Sequence, residues 1–213
     1  LLAEFSWRYP FLAYASALAM VPVVWTMLPE TLPARIAGQA PSTDRLPVAT
    51  LAVLGPIAFL AMVAFYLVPT LLAFRLVEID VTSPAVAGVV AATTTGTMAL
   101  VALQYARVRQ HLSPFAIHTV VFAFVAAGYC IIGAASSLPM TVVGASISGL
   151  GLGLLFPNNN SLLFAKTSPA VRGRAAGIMS TCVFSGQFAS PLVSGPMADR
   201  FGYAMTFQIV GVA

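Results

Sequence analysis

Long apolar runs without charged residues constrain this chain more than any other feature of its sequence. A helix needs about 20 mostly apolar residues to cross a bilayer. Six runs of about that length occur, at residues 10–29, 48–74, 85–106, 114–136, 139–165 and 173–197, and a seventh begins at Tyr203. Transmembrane strands would instead show alternating segments of roughly ten residues. The pattern therefore predicts an all-α integral membrane protein that crosses the bilayer several times.

The composition agrees with a chain surrounded by lipid. Charged residues make up 8% of the sequence and apolar residues 59%, whereas a soluble domain carries about 25% charged residues. The opening "LLAEFSWRYP" has no basic region before an apolar core, so it does not indicate a signal peptide. We expect a fragment that opens just before one helix and closes inside another.

The positive charges indicate the orientation in the membrane, because lysine and arginine favour cytoplasmic loops. One set of alternate loops holds seven of them and the other set holds three, Arg8, Arg75 and Arg200. The richer set is predicted to be cytoplasmic: Arg35, Arg45, Arg107, Arg109, Lys166, Arg172 and Arg174. No contiguous basic patch occurs, so we expect no nucleic-acid partner.

The longest polar stretch, residues 30–47, is rich in proline, alanine and glycine and has no helical periodicity. It is predicted to be a cytoplasmic linker between two bundles. The other connections are short, which favours antiparallel neighbours.

Three asparagines, Asn158, Asn159 and Asn160, follow Pro157 inside the fifth apolar run. Asn160 lies near the face of Ala145, Gly149 and Gly153, a small-residue stripe that favours close helix packing, so we expect it to pack there. Asn158 and Asn159 point elsewhere. We expect one of them to line a water-filled inner vestibule, and the alternative is an interhelical hydrogen bond.

Other polar residues in the apolar runs are candidates for a substrate cavity or a proton site. His118 lies one turn inside its span and is a possible proton site; the alternative is a histidine at the interface or bonded to a neighbouring helix. Gln187 shares a stripe with Ser180 and Ser194 and should face protein or water. Tyr66 and Thr70 lie one turn apart and could line a cavity, or Tyr66 is an interfacial aromatic. Small residues also form packing stripes: Gly186, Ser190 and Ser194, and Gly88, Ala92 and Gly96.

Enzymatic activity is not expected. "GASIS", residues 144–148, resembles the G-x-S of intramembrane serine proteases but has Ile147 where a small residue should follow. No H-E-x-x-H zinc motif occurs, and "GLGLG", residues 149–153, lacks the strand and the lysine of a phosphate loop. We expect no cofactor and no metal site.

The order of these elements resembles the C-terminal half of a major facilitator superfamily transporter. "WRYPF" with "LPET" resembles the sixth helix of that family, and "GLGLGLLFPN" with "SPAVRGRAAG" resembles the tenth helix and the following loop. "SGQFASPLVSGPMADRFGYAMTF" resembles the eleventh helix and the start of the twelfth. The combination is most similar to the drug and sugar (arabinose-efflux-like) branch.

The resemblance implies a major-facilitator-type helical bundle that covers about helix 6 to part of helix 12. Residues 1–29 would hold the last helix of the N-terminal bundle, and residues 48–213 the C-terminal six-helix bundle with a truncated last helix. Substrate would bind between two bundles near the membrane midplane, so the chain would need the missing N-terminal bundle. Candidate cavity residues are Tyr66, Thr70, Asn158, Asn159, Ser180 and Gln187.

The resemblance also implies a role for the cytoplasmic loops. Arg172 and Gly173, with Arg174 beside them, match an R-G element that would brace the cytoplasmic side. In "YARVRQHLSP" only Arg107 and Arg109 remain of a charged loop motif that usually holds an Asp-Arg pair followed by glycine.

The function implied is a secondary active transporter that exports small organic molecules, drugs or sugars, by proton antiport. The alternatives are a solute importer of the same fold and a non-transporting membrane scaffold or sensor with a dry, apolar cavity. We expect a multi-pass protein of the plasma membrane, which is the inner membrane of a bacterium.

Overall fold

The computed structural model describes residues 9–27 and 44–212, and those residues contain helices and no strand. The chain divides into two compact units, Leu1–Thr43 and Asp44–Ala213. In the first unit, helix α1 covers Tyr9–Met27, which matches the first predicted span. The predicted linker lies outside the described residues except for positions 44–47.

The second unit is a helical bundle. Its helices are α2 (Val48–Phe65), α3 (Leu67–Val77), α4 (Pro84–Ala102), α5 (Tyr105–His111), α6 (Pro114–Ala134), α7 (Leu138–Ala165) and α8 (Arg172–Val212), with a 3₁₀ turn at Pro169–Val171 before α8. Tyr66 separates α2 from α3 and keeps helical dihedral angles, so the two form one apolar stretch of 30 residues.

Serine-proline pairs begin two of these helices. The Ser83 hydroxyl accepts a hydrogen bond from the backbone N–H of Val86 at the start of α4. Ser113 does the same for Ala116 at the start of α6. In both cases proline follows at the first helical position, where its missing N–H costs nothing and its φ angle already suits a helix.

Four helical stretches of the described residues are long and apolar enough to cross a membrane: Val48–Val77, Pro84–Ala102, Pro114–Ala134 and Leu138–Ala165. The predicted span at residues 173–197 forms the first part of α8, which is not in this group. Its glycines, four serines and Gln187 reduce its hydropathy. At Gly202 the backbone takes φ 80° and ψ 163°, so the predicted start of a new helix at Tyr203 agrees with the structure.

Helix α7 lies at the centre of the bundle because glycines let α4 and α6 approach it on two sides. A Cβ on Gly149 or Gly153 would lie 2.5 Å from a backbone oxygen of α4, and a Cβ on Gly151 would lie 2.5 Å from the Val121 oxygen of α6. The predicted small-residue stripe of α7 therefore does allow close packing. The stripe predicted on α4 has no packing partner among the described residues, since none of their atoms lies near the Cβ positions of Gly88 and Gly96. The opposite face of α4, with Thr94 and Met98, meets α7 instead.

Candidate functional site

A cluster of buried polar side chains joins α5, α6 and α7 at the end of the bundle that the charge pattern places in the cytoplasm. Asn158 and Asn159 come from α7 and are 0% and 4% exposed. His118 lies in the second turn of α6, and its Nε2 is 2.7 Å from Asn159 Oδ1. Asn158 Nδ2 donates to the Pro114 carbonyl over 3.0 Å and lies 3.3 Å from His118 Nδ1 and 3.5 Å from His118 Nε2. The Tyr105 hydroxyl of α5 donates to Asn158 Oδ1 over 3.3 Å.

We call these five residues, Tyr105, Pro114, His118, Asn158 and Asn159, the asparagine–histidine cluster. Its geometry is that of interhelical hydrogen bonding, the alternative stated for both Asn158 and Asn159 and for His118. In this conformation neither asparagine opens onto a vestibule, because both side chains are buried against α6. Whether either contacts a substrate stays a prediction.

Asn160 does not pack as the helical periodicity predicts. Its side chain is exposed, whereas Gly149 and Gly153 are buried against α4. Helix α4 ends at Ala102, and its contacts with α7 reach Gly149, Gly153 and the cluster of Leu154 and Leu155.

A second group of predicted residues lies where α2 and α8 pack in parallel. A Cβ on Gly186 would lie 2.3 Å from the Phe59 carbonyl oxygen, and the Ser190 hydroxyl donates to the Val63 carbonyl over 2.8 Å. The predicted packing stripe of α8 is thus found against α2. Gln187, beside Gly186, is half-buried, and its Nε2 lies 3.8 Å from Met62 Sδ. The amide faces protein, as expected for an amide in the middle of an apolar helix.

Tyr66 and Thr70 continue α2 beyond Met62, each one helical turn further along. Tyr66 is half-buried, and its ring meets that of Phe65 edge to face with 5.7 Å between the ring centroids. The Thr70 hydroxyl donates to the Tyr66 carbonyl over 2.6 Å. Thr70 therefore uses its donor within its own helix, while the Tyr66 side chain has no such bond among the described residues.

The outward face of α8 carries a shallow surface depression, wide open to its surroundings, which we call the α8 groove and which is lined by side chains of this one helix. Its lining alternates hydroxyls with aromatic rings: Ser180, Thr181, Phe184, Ser185 and Phe188. The Thr181 hydroxyl donates to the Gly177 carbonyl of its own helix. Phe184 and Phe188 are 65% and 74% exposed, so the two rings form most of the surface. Ser180 is the one predicted cavity residue in this groove.

The predicted gating residues lie at the exposed connections of the bundle. Arg107 donates to Gln104 Oε1 over 2.7 Å, and Arg109 donates to the Leu112 carbonyl over 3.2 Å, so both bond within or next to α5. Arg172 Nε donates to the Thr167 carbonyl over 3.4 Å. Gly173 has open space at its Cβ position, and Arg174 is exposed. A gating role for these residues stays a prediction.

Two side chains that the sequence did not single out, those of Arg75 and Tyr105, connect different helices of the bundle. Arg75, 5% exposed, reaches from α3 to the end of α6, where its Nη2 donates to the carbonyls of Gly133 and Ala135. Its Nη1 lies 3.2 Å from Glu78 Oε2. The spacing of Arg75 and Glu78 by three residues on a helix is a signal for such an ion pair. Tyr105 had no comparable signal, since its partner lies 53 residues away.

Comparison with known proteins is informative at the level of the family. No curated protein and no solved structure matches the chain. The sequence model of the Major Facilitator Superfamily matches residues 1–191, which include α1 and all of the bundle up to the α2–α8 contact at Ser190. The all-α bundle, with four apolar spans among the described residues, is consistent with this family. The chain therefore belongs to the major facilitator superfamily and is a multi-pass membrane protein of a transporter family.

Proposed function

We propose that this chain is the C-terminal part of a secondary active transporter that exports small organic molecules, drugs or sugars, by alternating access in the plasma membrane. Membership of the transporter family supports the general class. The proton as coupling ion and the outward direction rest on the resemblance to the efflux branch. The observation that carries the proposal is the polar and aromatic outward face of α8.

Helix α8 is less apolar than the other long helices of the bundle. It is not among the stretches apolar enough to cross a membrane on composition alone. Ser180 and Ser185 lie on its exposed face, and neither side chain forms a hydrogen bond within the described residues. A hydroxyl without a partner is unfavourable in hydrocarbon. This face therefore suits contact with water, substrate or another part of the protein better than contact with lipid.

The groove on this face indicates what kind of molecule it would accept. Two phenylalanine rings offer flat apolar surfaces, serine and threonine hydroxyls lie between them, and no charged side chain lines the groove. Pockets for small organic molecules commonly combine apolar walls with a few polar groups. We infer that the groove favours uncharged or weakly amphipathic molecules. Gln187 is outside the groove lining, on the side of α8 that meets α2, where its amide nitrogen lies 3.8 Å from Met62 Sδ.

The test is to replace Gln187 with leucine, which keeps the size of the side chain and removes its amide. Gln208→Leu is the matched control, since it makes the same change near the other end of α8, where Gln208 packs on Gly133. Both variants are made in the full transporter. Efflux of a fluorescent amphipathic dye and of a labelled sugar from cells is measured at equal amounts of protein in the membrane.

We expect Gln187→Leu to reduce export or change the preference between dye and sugar, and Gln208→Leu to leave both unchanged. Collapse of the proton gradient with an uncoupler should abolish export if protons drive it. Net uptake by the wild type would favour the importer. Indifference of wild-type cells and of both variants to either compound, relative to cells without the protein, would favour the scaffold or sensor.

A further inference from the structure

The long apolar helix formed by α2 and α3 is interrupted at Tyr66, and the sequence supplies the cause. Pro69 has no backbone N–H, so the Phe65 carbonyl one turn earlier loses its helical donor, and the proline ring crowds that carbonyl. The ψ angle of Tyr66 is −8°, whereas a regular helix has about −42°. A proline inside a helix is a common cause of a bend. Its own hydrogen bonds therefore hold the chain less firmly here than in a continuous helix.

Two carbonyls in the turn before this bend accept hydrogen bonds from other helices. The Tyr129 hydroxyl of α6 donates to the Ala64 carbonyl over 2.6 Å, and the Ser190 hydroxyl of α8 donates to the Val63 carbonyl over 2.8 Å. Tyr129 and Ser190 are both 0% exposed. Successive residues lie about 100° apart around a helix axis, so the two donors approach the end of α2 from different sides.

Apolar packing holds the two halves of this helix in different parts of the core. Phe65, at the junction, packs against residues of both parts. The buried residues of α3 belong to one apolar cluster: Leu67, Val68, Leu71, Leu72 and Leu76. Those of α2 belong to two others: Leu51, Leu54 and Ala58 in the first, Ala61 and Met62 in the second. Burial of apolar surface has no preferred direction, whereas a hydrogen bond requires a particular distance and angle.

We propose that Tyr129 and Ser190 are positioning residues, which hold the bend at Tyr66 from two sides and thereby set where the Tyr66 side chain lies. Tyr129 is itself fixed, since its ring meets that of Phe207 edge to face with 5.5 Å between the ring centroids. The Tyr66 hydroxyl forms no hydrogen bond within the described residues, so it is available to a ligand. Contact of Tyr66 with a substrate rests on the proposed function; the hold on the bend does not.

The bend is measured as the distance between two spin labels on this helix, by pulsed electron paramagnetic resonance of the full transporter in lipid. The labels are attached at Val53 of α2 and Ala73 of α3, which are both exposed. A straight helix would separate these positions by roughly 30 Å, a distance that suits the method. Cys130 and Cys182, the free cysteines of the described residues, are first replaced by alanine.

Tyr129→Phe removes the hydroxyl and keeps the ring on Phe207, and Ser190→Ala removes the other donor. Each variant should raise the population at a second distance, relative to the main one, about fivefold, and the two together about 25-fold. The matched controls are Tyr203→Phe, whose hydroxyl has no hydrogen bond within the described part of the chain, and Ser148→Ala, whose hydroxyl bonds its own helix. Unchanged distances in Tyr129→Phe and Ser190→Ala, or equal changes in the controls, would overturn the proposal.

Pro69→Ala separates a hold on the bend from a general effect on stability. Alanine restores the N–H that bonds the Phe65 carbonyl, so the helix no longer needs donors from outside to keep its direction. In this background Tyr129→Phe should leave the distances as they are in Pro69→Ala alone. If Tyr129→Phe changed them equally with and without Pro69, the bond would act on packing in general and the proposal would be wrong.

Transport tests the part of the proposal that concerns Tyr66. The rate of dye export is measured over a range of dye concentrations for Tyr129→Phe, Tyr66→Ala and the double variant. We expect Tyr129→Phe to raise the concentration that gives half the maximal rate, and to add nothing further once Tyr66 is alanine. Additive effects would refute positioning through Tyr66. Absence of export by the wild type would contradict the proposed function, whereas the spin-label distances decide the hold on the bend by themselves.

Discussion

Replacing Arg75 with methionine removes the guanidinium that ties the end of α3 to the end of α6. Arg75 Nη2 donates to two carbonyls, those of Gly133 in the last turn of α6 and of Ala135 just after it, at a helix end that has no following turn to bond its carbonyls. The positive charge also lies at the negative end of the α6 dipole. Methionine keeps most of the apolar stem and supplies no donor.

The expected decrease in the free energy of unfolding is the sum of the separate contributions of this contact. Each hydrogen bond from a charged donor contributes about 1.5–3 kcal/mol. Arg75 Nε is buried without a partner, a cost of about 1–3 kcal/mol that the variant avoids. The Glu78 side chain is 36% exposed, and solvent reduces such an ion pair to less than about 1 kcal/mol. The net loss for Arg75→Met is therefore about 2–3 kcal/mol, and most of it comes from the two carbonyls.

The assay is thermal stability of the purified chain in detergent, read as the temperature at which half of it remains monodisperse after heating. A change of 1 kcal/mol shifts Tm by about 2–4 °C at this size, so Arg75→Met should lower the midpoint by about 5–10 °C. Arg174→Met, the same change at an exposed arginine, should leave it unchanged. Glu78→Gln should lower it by less than about 3 °C. The reasoning fails if Arg75→Met behaves like Arg174→Met, or if Glu78→Gln is equally costly.

Three further predictions concern packing and hydrogen bonding. Gly153→Ala should prevent accumulation of folded protein in the membrane, because its Cβ would lie 2.5 Å from the Met98 oxygen, whereas Gly88→Ala, in open space, should accumulate normally; equal yields would refute the close packing of α4 on α7. Asn158→Leu should lower the thermal midpoint by about 4–8 °C, since it leaves buried polar groups unpaired at a cost of about 2 kcal/mol, and Asn160→Leu should not lower it. Ser190→Ala should cost about 1 kcal/mol, measured by the same heating assay, and an unchanged midpoint would argue against the bond to α2.

Helical periodicity predicted which faces of a helix can pack closely more reliably than it predicted which neighbouring helix packs there. The spacing of Gly149 and Gly153 predicted a face of α7 that admits another helix, and α4 occupies it. On α4 the stripe that the same rule predicts has no partner among the described residues, where Gly88 and Gly96 face open space. A small-residue stripe permits close approach but does not enforce it, because the helix can present its opposite face at similar cost. Only the arrangement of the whole bundle decides between the two faces.

The contacts of polar side chains depend on partners far away in sequence, which is why the sequence left those of His118 and the asparagines as alternatives and did not indicate that of Arg75. Arg75 bonds to carbonyls 58 and 60 residues further along the chain, and Asn159 meets His118 across 41 residues. Nothing local to either residue fixes such distances. Asn160 also depends on a distant element, because it stays exposed where α4 does not continue beside its face of α7.

Polar side chains on α7 and α8 differ in whether they already form hydrogen bonds. We expect a substrate to bind along the helix whose polar side chains lack such bonds. In α7, Ser148 bonds its own backbone, and Asn158 and Asn159 bond neighbouring helices, so the donors of these buried residues are already used. In α8, Ser190 is satisfied by α2, but Ser180 and Ser185 point outward beside two exposed phenylalanines. A substrate would have to break existing bonds to use the asparagines, whereas it would supply missing ones along α8. We therefore expect substitutions in the α8 groove to change which compounds are exported, and substitutions in the asparagine–histidine cluster to lower the stability of the bundle.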